Sequence, residues 1–213
     1  MKLYGYFRSS AAYRVRIALN LKGLAPEATS LHLVKGQQRA SDYLALNPQG
    51  LVPALVTDEG KVLTQSLAII DWLEETHPEP PLLPADALGR ARVRGLALAI
   101  ACDIHPLNNL RVLNYLTNTL GVSDEQKNGW YRYWIDTGFE ALERRLVSER
   151  ETGRFGHGDA PTLADICLVP QVWNARRFKI DLSPYPTITR IDAMCQAVPA
   201  FADAAPEKQP DAF

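Results

Sequence analysis

Phe7-Arg8-Ser9-Ser10-Ala11-Ala12-Tyr13-Arg14-Val15-Arg16-Ile17-Ala18-Leu19 is the stretch on which the reading of this chain turns. It follows an apolar run over residues 3–7 that reads as a strand, and it opens a helical run over residues 10–22. Gly23 follows, which suits a left-handed C-cap. Two hydroxyls therefore stand where a strand hands over to a helix. The first backbone N–H groups of a helix are unpaired and carry partial positive charge. An anion placed there is stabilised, and a thiol placed there loses its proton more readily. Arg8 adds a full charge beside them. The segment has the makings of a site for a thiolate and an acid.

Outward from this joint, alternation continues. Residues 28–34 predict a strand, 40–46 a short helix stopped by Asn47-Pro48, and 54–57 with 61–64 a hairpin about Asp58-Glu59-Gly60. Residues 66–76 show apolar positions at helical spacing, with Ser66 as the expected N-cap. The order is βαβαββα. Four prolines within residues 78–84 then make a stiff break. Beyond it, residues 88–120, 124–151, 162–178 and 187–197 all read as helices, the first interrupted at Pro106. Thr162 and Asp165 form a capping pair. Core packing is the expectation for Trp72, Trp130, Trp134 and Trp173. The chain is expected to divide into residues 1–80, a linker over 81–86, and an all-helical domain over 87–213.

Composition narrows the class. The chain has 213 residues, 46% hydrophobic and 22% charged, with a formal net charge of -1. This is the balance of a soluble globular protein, not of a nucleic-acid binder. The three cysteines, Cys102, Cys167 and Cys195, are widely spaced, which argues against a disulfide framework or a zinc site and suits a reducing compartment. No signal-peptide core opens the chain and no run of about 18 apolar residues occurs, so a cytoplasmic location is expected.

A βαβαββα module followed by helices resembles the cytosolic glutathione transferases, in which an α/β thioredoxin-like N-terminal domain precedes an all-α C-terminal domain. Residues 9–19 are similar to the SSCxxRVRIAL signature of the zeta class. Asn47-Pro48-Gln49-Gly50-Leu51-Val52-Pro53 resembles the loop carrying the cis-proline of that fold. Gln65-Ser66-Leu67-Ala68-Ile69-Ile70 resembles its glutamyl-recognition turn, and Thr162-Leu163-Ala164-Asp165 its interior helix-start box. Residues 165–171 and 178–186 also look like zeta-class text, so the resemblance spans nearly the whole chain. One departure is Ala11, which stands where the signature has cysteine.

Zeta enzymes include maleylacetoacetate and maleylpyruvate isomerases. The resemblance therefore implies a glutathione-dependent cis–trans isomerase acting on a small dicarboxylate in aromatic-compound catabolism. Maleylpyruvate to fumarylpyruvate is the preferred reaction, and maleylacetoacetate, from tyrosine and phenylalanine, is the alternative. A conjugating or dehalogenating transferase and a non-catalytic binding protein are further readings. Isomerisation needs no protein thiol, because glutathione supplies the sulfur. It does need a low-pKa thiol, cations for the substrate acids, and stabilisation of developing negative charge.

Ser9 is the first candidate for contact with sulfur and Ser10 the second, and either one is equally suited to capping the helix. The resemblance assigns the Val52 backbone to the cysteinyl unit, Gln65 and Ser66 to the γ-glutamyl carboxylate, and Gln38 to the glycyl end. It assigns His105, Asn109, Leu110 and Arg111 to further glutathione contacts. Asp103 is expected to reach the glutamyl amine of a neighbouring subunit in a homodimer. The substrate acids fall to Arg8, Arg111 and Arg176, with Arg177 the neighbour of Arg176, since guanidinium groups bind carboxylates bidentately. Arg14 and Arg16 read as structural ion pairs. No metal, nucleic acid or membrane is expected as a partner.

Overall fold

The computed structural model describes residues 1–212, which divide into two compact units. The first comprises residues 1–81 together with the chain from residue 198 onward. It carries β1 (Lys2–Gly5), α1 (Ser10–Leu21), β2 (Glu27–Ser30), α2 (Ser41–Leu46), β3 (Ala54–Val56), β4 (Val62–Thr64) and α3 (Ser66–Thr76). The sheet order is β2-β1-β3-β4, with β1 and β2 parallel and the other neighbours antiparallel. This is the α/β thioredoxin-like layout expected. Leu3 stands opposite Ala28 on one side and Leu55 on the other.

Two strands are shorter or shifted relative to expectation, for one reason. The Ser9 amide donates to the Tyr6 carbonyl at 3.0 Å, which turns the chain out of the sheet after Gly5. The ladder between β1 and β2 ends at Gly5 with Ser30, and beyond it the Leu31 amide still reaches the Gly5 carbonyl at 2.8 Å before residues 32–34 leave the sheet. They pass instead into a 3₁₀ turn over Leu33–Lys35, followed by another over Gln37–Arg39. The left-handed C-cap falls where expected: Gly23 has φ 68°, and the Leu24 amide returns to the Leu19 carbonyl at 2.9 Å.

Helix α1 is buried nearly all round, including Ala12, Tyr13, Val15, Ile17, Ala18 and Leu19. The tail supplies part of this cover and explains why the helical domain does not run to the end of the chain as 87–213 would have it. Arg16 Nε donates to the Ala204 carbonyl at 3.0 Å, Asn20 Nδ2 to Ala200 at 3.0 Å, and the Phe7 amide to Asp211 Oδ2 at 3.1 Å. Phe201, in α9 (Pro199–Ala202), is fully buried. Arg16, read as one of a structural ion pair, spends its donors on carbonyls: Ala204 and also Phe7, at 3.0 Å. Burial lowers its pKa to about 10.

The second unit, residues 82–197, is helical. It contains α4 (Ala87–Leu98), α5 (Leu110–Asn118), α6 (Asp124–Ser148), α7 (Leu163–Arg177) and α8 (Pro186–Gln196). The expected interruption near Pro106 is a π-helical segment, Ala99–Ile104, running into a 3₁₀ turn, His105–Asn108. The π segment packs so close to α6 that a Cβ on Gly138 would stand 2.2 Å from Ile104 Cδ1. Helix α7 is the core element, almost wholly buried. Its start is fixed by the Thr162–Asp165 capping box, and Asp165 also accepts from the Gly156 amide at 2.7 Å. The four tryptophans are half-buried rather than core residues; Trp130 Nε1 donates to the Leu107 carbonyl at 2.9 Å, while Trp134 Nε1 is buried without a hydrogen-bond partner. Among the described residues no helix is long and apolar enough to cross a membrane, and no cluster of three His, Cys, Asp or Glu could hold a metal.

Candidate active site

In the first unit the joint between β1 and α1 places Arg8, Ser9 and Ser10 side by side. Ser9 is the N-cap: its Oγ accepts from the Ala12 amide at 3.2 Å. Capping uses an oxygen lone pair and leaves the hydroxyl proton to donate, so cap and sulfur ligand are compatible roles for one serine. Ser9 is half-exposed, whereas Ser10 is the first helical residue and buried. No acid occupies the first turn of α1 to offset its positive end. Arg8 Nη2 donates to the Tyr6 hydroxyl at 3.0 Å, and its guanidinium lies over the Phe7 ring at 5.1 Å from the centroid. Those contacts fix the guanidinium against the Tyr6 and Phe7 rings.

A second cluster forms about the loop at residues 47–53. The Val52–Pro53 bond is cis. The Leu51 carbonyl before it is clamped by Tyr43 Oη at 2.6 Å and Asn47 Nδ2 at 2.8 Å. Gly50 has φ 59°, and a Cβ there would stand 3.0 Å from the Gln38 carbonyl oxygen, so the turn bearing Gln38 packs directly on this loop. Gln65 Nε2 donates to Gln49 Oε1 at 3.1 Å, joining the start of α3 to the same loop.

Gln65, not Ser66, holds the N-cap position of α3, with φ 69° and ψ 116°. Ser66 is the first helical residue, because the left-handed turn at Gln65 has already redirected the chain. Its Oγ is buried and accepts from Arg14 Nη1 at 3.3 Å, which again leaves the hydroxyl proton to donate. Arg14 is thus a bridge from α1 to the start of α3 rather than only a structural ion pair.

These groups suit a small peptide with acidic ends. Gln38 Oε1 is buried without a hydrogen-bond partner, an arrangement that costs free energy unless a donor arrives. Glutathione, through its amide N–H groups, meets that need, and the start of α3 offers orphan N–H groups to a carboxylate. The residues present fit the tripeptide.

In the second unit, Asp103, His105, Asn109, Leu110 and Arg111 follow one another along the π segment, the 3₁₀ turn and the start of α5. Asp103 is exposed at the edge of a 240 Å³ cavity with Trp134 and Arg145. Asn109 caps α5, accepting from the Arg111 amide at 3.1 Å. Leu110 and Arg111 are exposed. Arg176 lies away from this stretch in sequence, in the last turn of α7, where Nη1 donates to Asp192 Oδ2 of α8 at 2.5 Å. Arg177 turns instead onto aromatic faces, 4.7 Å from the Phe178 centroid. Burial pushes the Asp192 carboxyl up, and the Arg176 guanidinium pulls it back. Asp192 was not among the expected site residues. The available signal was an acid on the buried stripe of Ile188, Ile191 and Cys195 in α8.

Comparison with known proteins agrees with this geometry. Residues 3–81 match the glutathione S-transferase N-terminal domain. The chain is 55% identical over 212 residues to a probable maleylacetoacetate isomerase of Vibrio cholerae, covering 99% of this chain and 97% of that protein. It is 54% identical over 211 residues to the maleylpyruvate isomerase of a Ralstonia species, covering 99% of each. A holo structure of a zeta-class bacterial maleylpyruvate isomerase superposes with a TM-score of 0.97 at 52% identity over the full length of both chains. The maleylacetoacetate isomerase of Methylobacterium extorquens AM1, solved with malonate and glutathione, gives 0.98 at 48%, again over the full length of both. The protein belongs to the zeta class of the glutathione transferases.

Proposed function

We propose that this chain is a glutathione-dependent cis–trans isomerase that converts maleylpyruvate to fumarylpyruvate, the alternative reading being a maleylacetoacetate isomerase. The observation that carries the reading is the start of α1, where a capping serine keeps its hydroxyl proton free to donate and an arginine directly precedes it in the chain. Bound glutathione supplies a sulfur nucleophile whose addition makes the cis double bond single and whose departure restores it as trans. Ser9 donates its O–H to the thiolate, and the positive end of α1 lowers the cost of that charge. Ser10 is the second candidate for the same contact. Arg8 meets the substrate acid nearest the alkene and the negative charge that develops during reaction.

Gln38, Val52, Gln65 and Ser66 hold glutathione in the first unit, with Arg14 orienting the Ser66 hydroxyl. From the second unit His105, Asn109, Leu110 and Arg111 add contacts, and Arg176 takes the distal carboxylate. Three arginines, Arg8, Arg111 and Arg176, favour a compact dianion, which is the reason for placing maleylpyruvate first. The working form is a cytoplasmic homodimer, and the exposure of Asp103 supports its reaching a partner's glutathione. Assaying maleylpyruvate, maleylacetoacetate and a chloro-acid in parallel tests the assignment. The highest kcat/KM is expected for maleylpyruvate; turnover of the chloro-acid alone would make the protein a dehalogenating transferase.

A further inference from the structure

Arg176 and Asp192 form an unusually one-sided pair. The Arg176 side chain is 50% exposed, while that of Asp192 is 1% exposed. Their contact is a single N–H of Nη1 on Oδ2 at 2.5 Å. Arg176 is also the last-turn cation of α7, but a helix dipole favours a charge there without fixing its direction. An arginine side chain is long and has many rotamers, and immobilising it during binding weakens binding. A carboxylate fixed in the buried face of α8 removes that freedom in advance. The guanidinium has five N–H donors in a rigid plane, so anchoring one leaves others on the exposed edge for a second carboxylate.

Stability accounts poorly for the arrangement. A buried acid facing a half-exposed arginine loses solvation and gains a screened attraction. Adjacent Arg177 lies over the rings of Trp173 and Phe178. We infer that Asp192 is a positioning residue: from the buried face of α8 it aims the Arg176 guanidinium so that its free edge receives the distal carboxylate of the substrate. This rests on the assignment of Arg176 to that carboxylate.

The test is a double-mutant cycle on the full-length enzyme, reading kcat and KM for maleylpyruvate, KM for glutathione, and thermal midpoint. Asp192→Asn keeps the shape of the side chain and removes its charge. It is expected to raise KM for maleylpyruvate about tenfold, the loss of one charge-assisted hydrogen bond's worth of orientation. KM for glutathione should hold. In an Arg176→Ala background, Asp192→Asn should change KM for maleylpyruvate no further. A purely structural role would lower the thermal midpoint and leave KM alone, or shift KM equally in both backgrounds; either result overturns the inference. A fall in KM would also overturn it, making Asp192 a competitor for the guanidinium. If Arg176→Ala itself leaves KM unchanged, the assignment of Arg176 fails first. If Arg176→Ala raises KM and Asp192→Asn does not, only the role of Asp192 fails. Should Asp192→Asn not fold, Asp192→Glu keeps the ion pair but displaces the guanidinium by a methylene. A rise in KM for maleylpyruvate alone then supports the inference, and an unaltered KM overturns it.

Discussion

Arg14 Nη1 donates to Ser66 Oγ at 3.3 Å, joining α1 to the first residue of α3 across 52 positions of sequence. Both residues are buried. The contact ties the helix start proposed to hold the thiolate to the helix start proposed to hold the γ-glutamyl carboxylate. Removing Arg14 leaves a cavity and a buried hydroxyl without its donor. Arg14→Ala is therefore expected to cost about 2–4 kcal/mol of stability and to raise KM for glutathione more than KM for substrate. Urea denaturation and initial rates check this. Unchanged stability and an unchanged KM for glutathione would show that the bridge carries no weight.

Ser9→Ala separates the two roles of one hydroxyl. Loss of the cap costs about 1 kcal/mol of stability. Loss of the donor to sulfur is expected to lower kcat by roughly 10²-fold at neutral pH. The bound thiol becomes less acidic, so the pH–rate profile should move to higher pH and activity recover there in part. Ser10→Ala should not move the profile. The reverse pattern would assign the sulfur contact to Ser10.

The joint of β1 and α1 was legible because its signals are local: an apolar run, two hydroxyls, an apolar helical face and a terminal glycine. Where partners lie far off in the chain, reading stopped. Nothing near residues 31–34 says that the ladder between β1 and β2 ends at Gly5 and Ser30. Nothing near Arg16 says that its donors go to Phe7 and to Ala204. The tail over residues 198–212 follows the helical unit in sequence, and only tertiary packing assigns it to the first unit. Ser66 looked like a cap because φ 69° at Gln65 is a conformation that sequence seldom signals for a non-glycine residue. The residues proposed for the site are those that motifs carry. Asp192, which acts through another side chain, belongs to no motif.

Gln38 offers a test of cofactor fit that is independent of chemistry. Its Oε1 is buried and unpartnered. If glutathione supplies the missing donor, Gln38→Leu should raise KM for glutathione by about tenfold with little change in kcat at saturation. An equal fall in kcat would place Gln38 in the reaction itself.

Acid stability should depend on Glu149. Its burial raises the pKa, but hydrogen bonds from Arg145 at 2.8 Å and Arg92 at 2.6 Å outweigh this and hold the carboxyl below its ordinary value of 4.5. A depressed folded-state pKa contributes stability above the unfolded value, and that contribution is lost as pH falls through the folded one. Stability should therefore decline below pH 4.5, and Glu149→Gln should flatten the decline while lowering stability at neutral pH. Denaturation curves across that range would show it; parallel curves for the two proteins would remove Glu149 from the account.

In the proposed reaction glutathione acts as a recycled catalyst at the start of α1, with Ala11 leaving no protein thiol there to replace it. Following maleylpyruvate, fumarylpyruvate and free thiol together in one reaction tests it most directly. Many turnovers per glutathione, a constant thiol concentration, and no turnover without added glutathione are predicted. Loss of thiol in step with substrate, or full activity without glutathione, would contradict it.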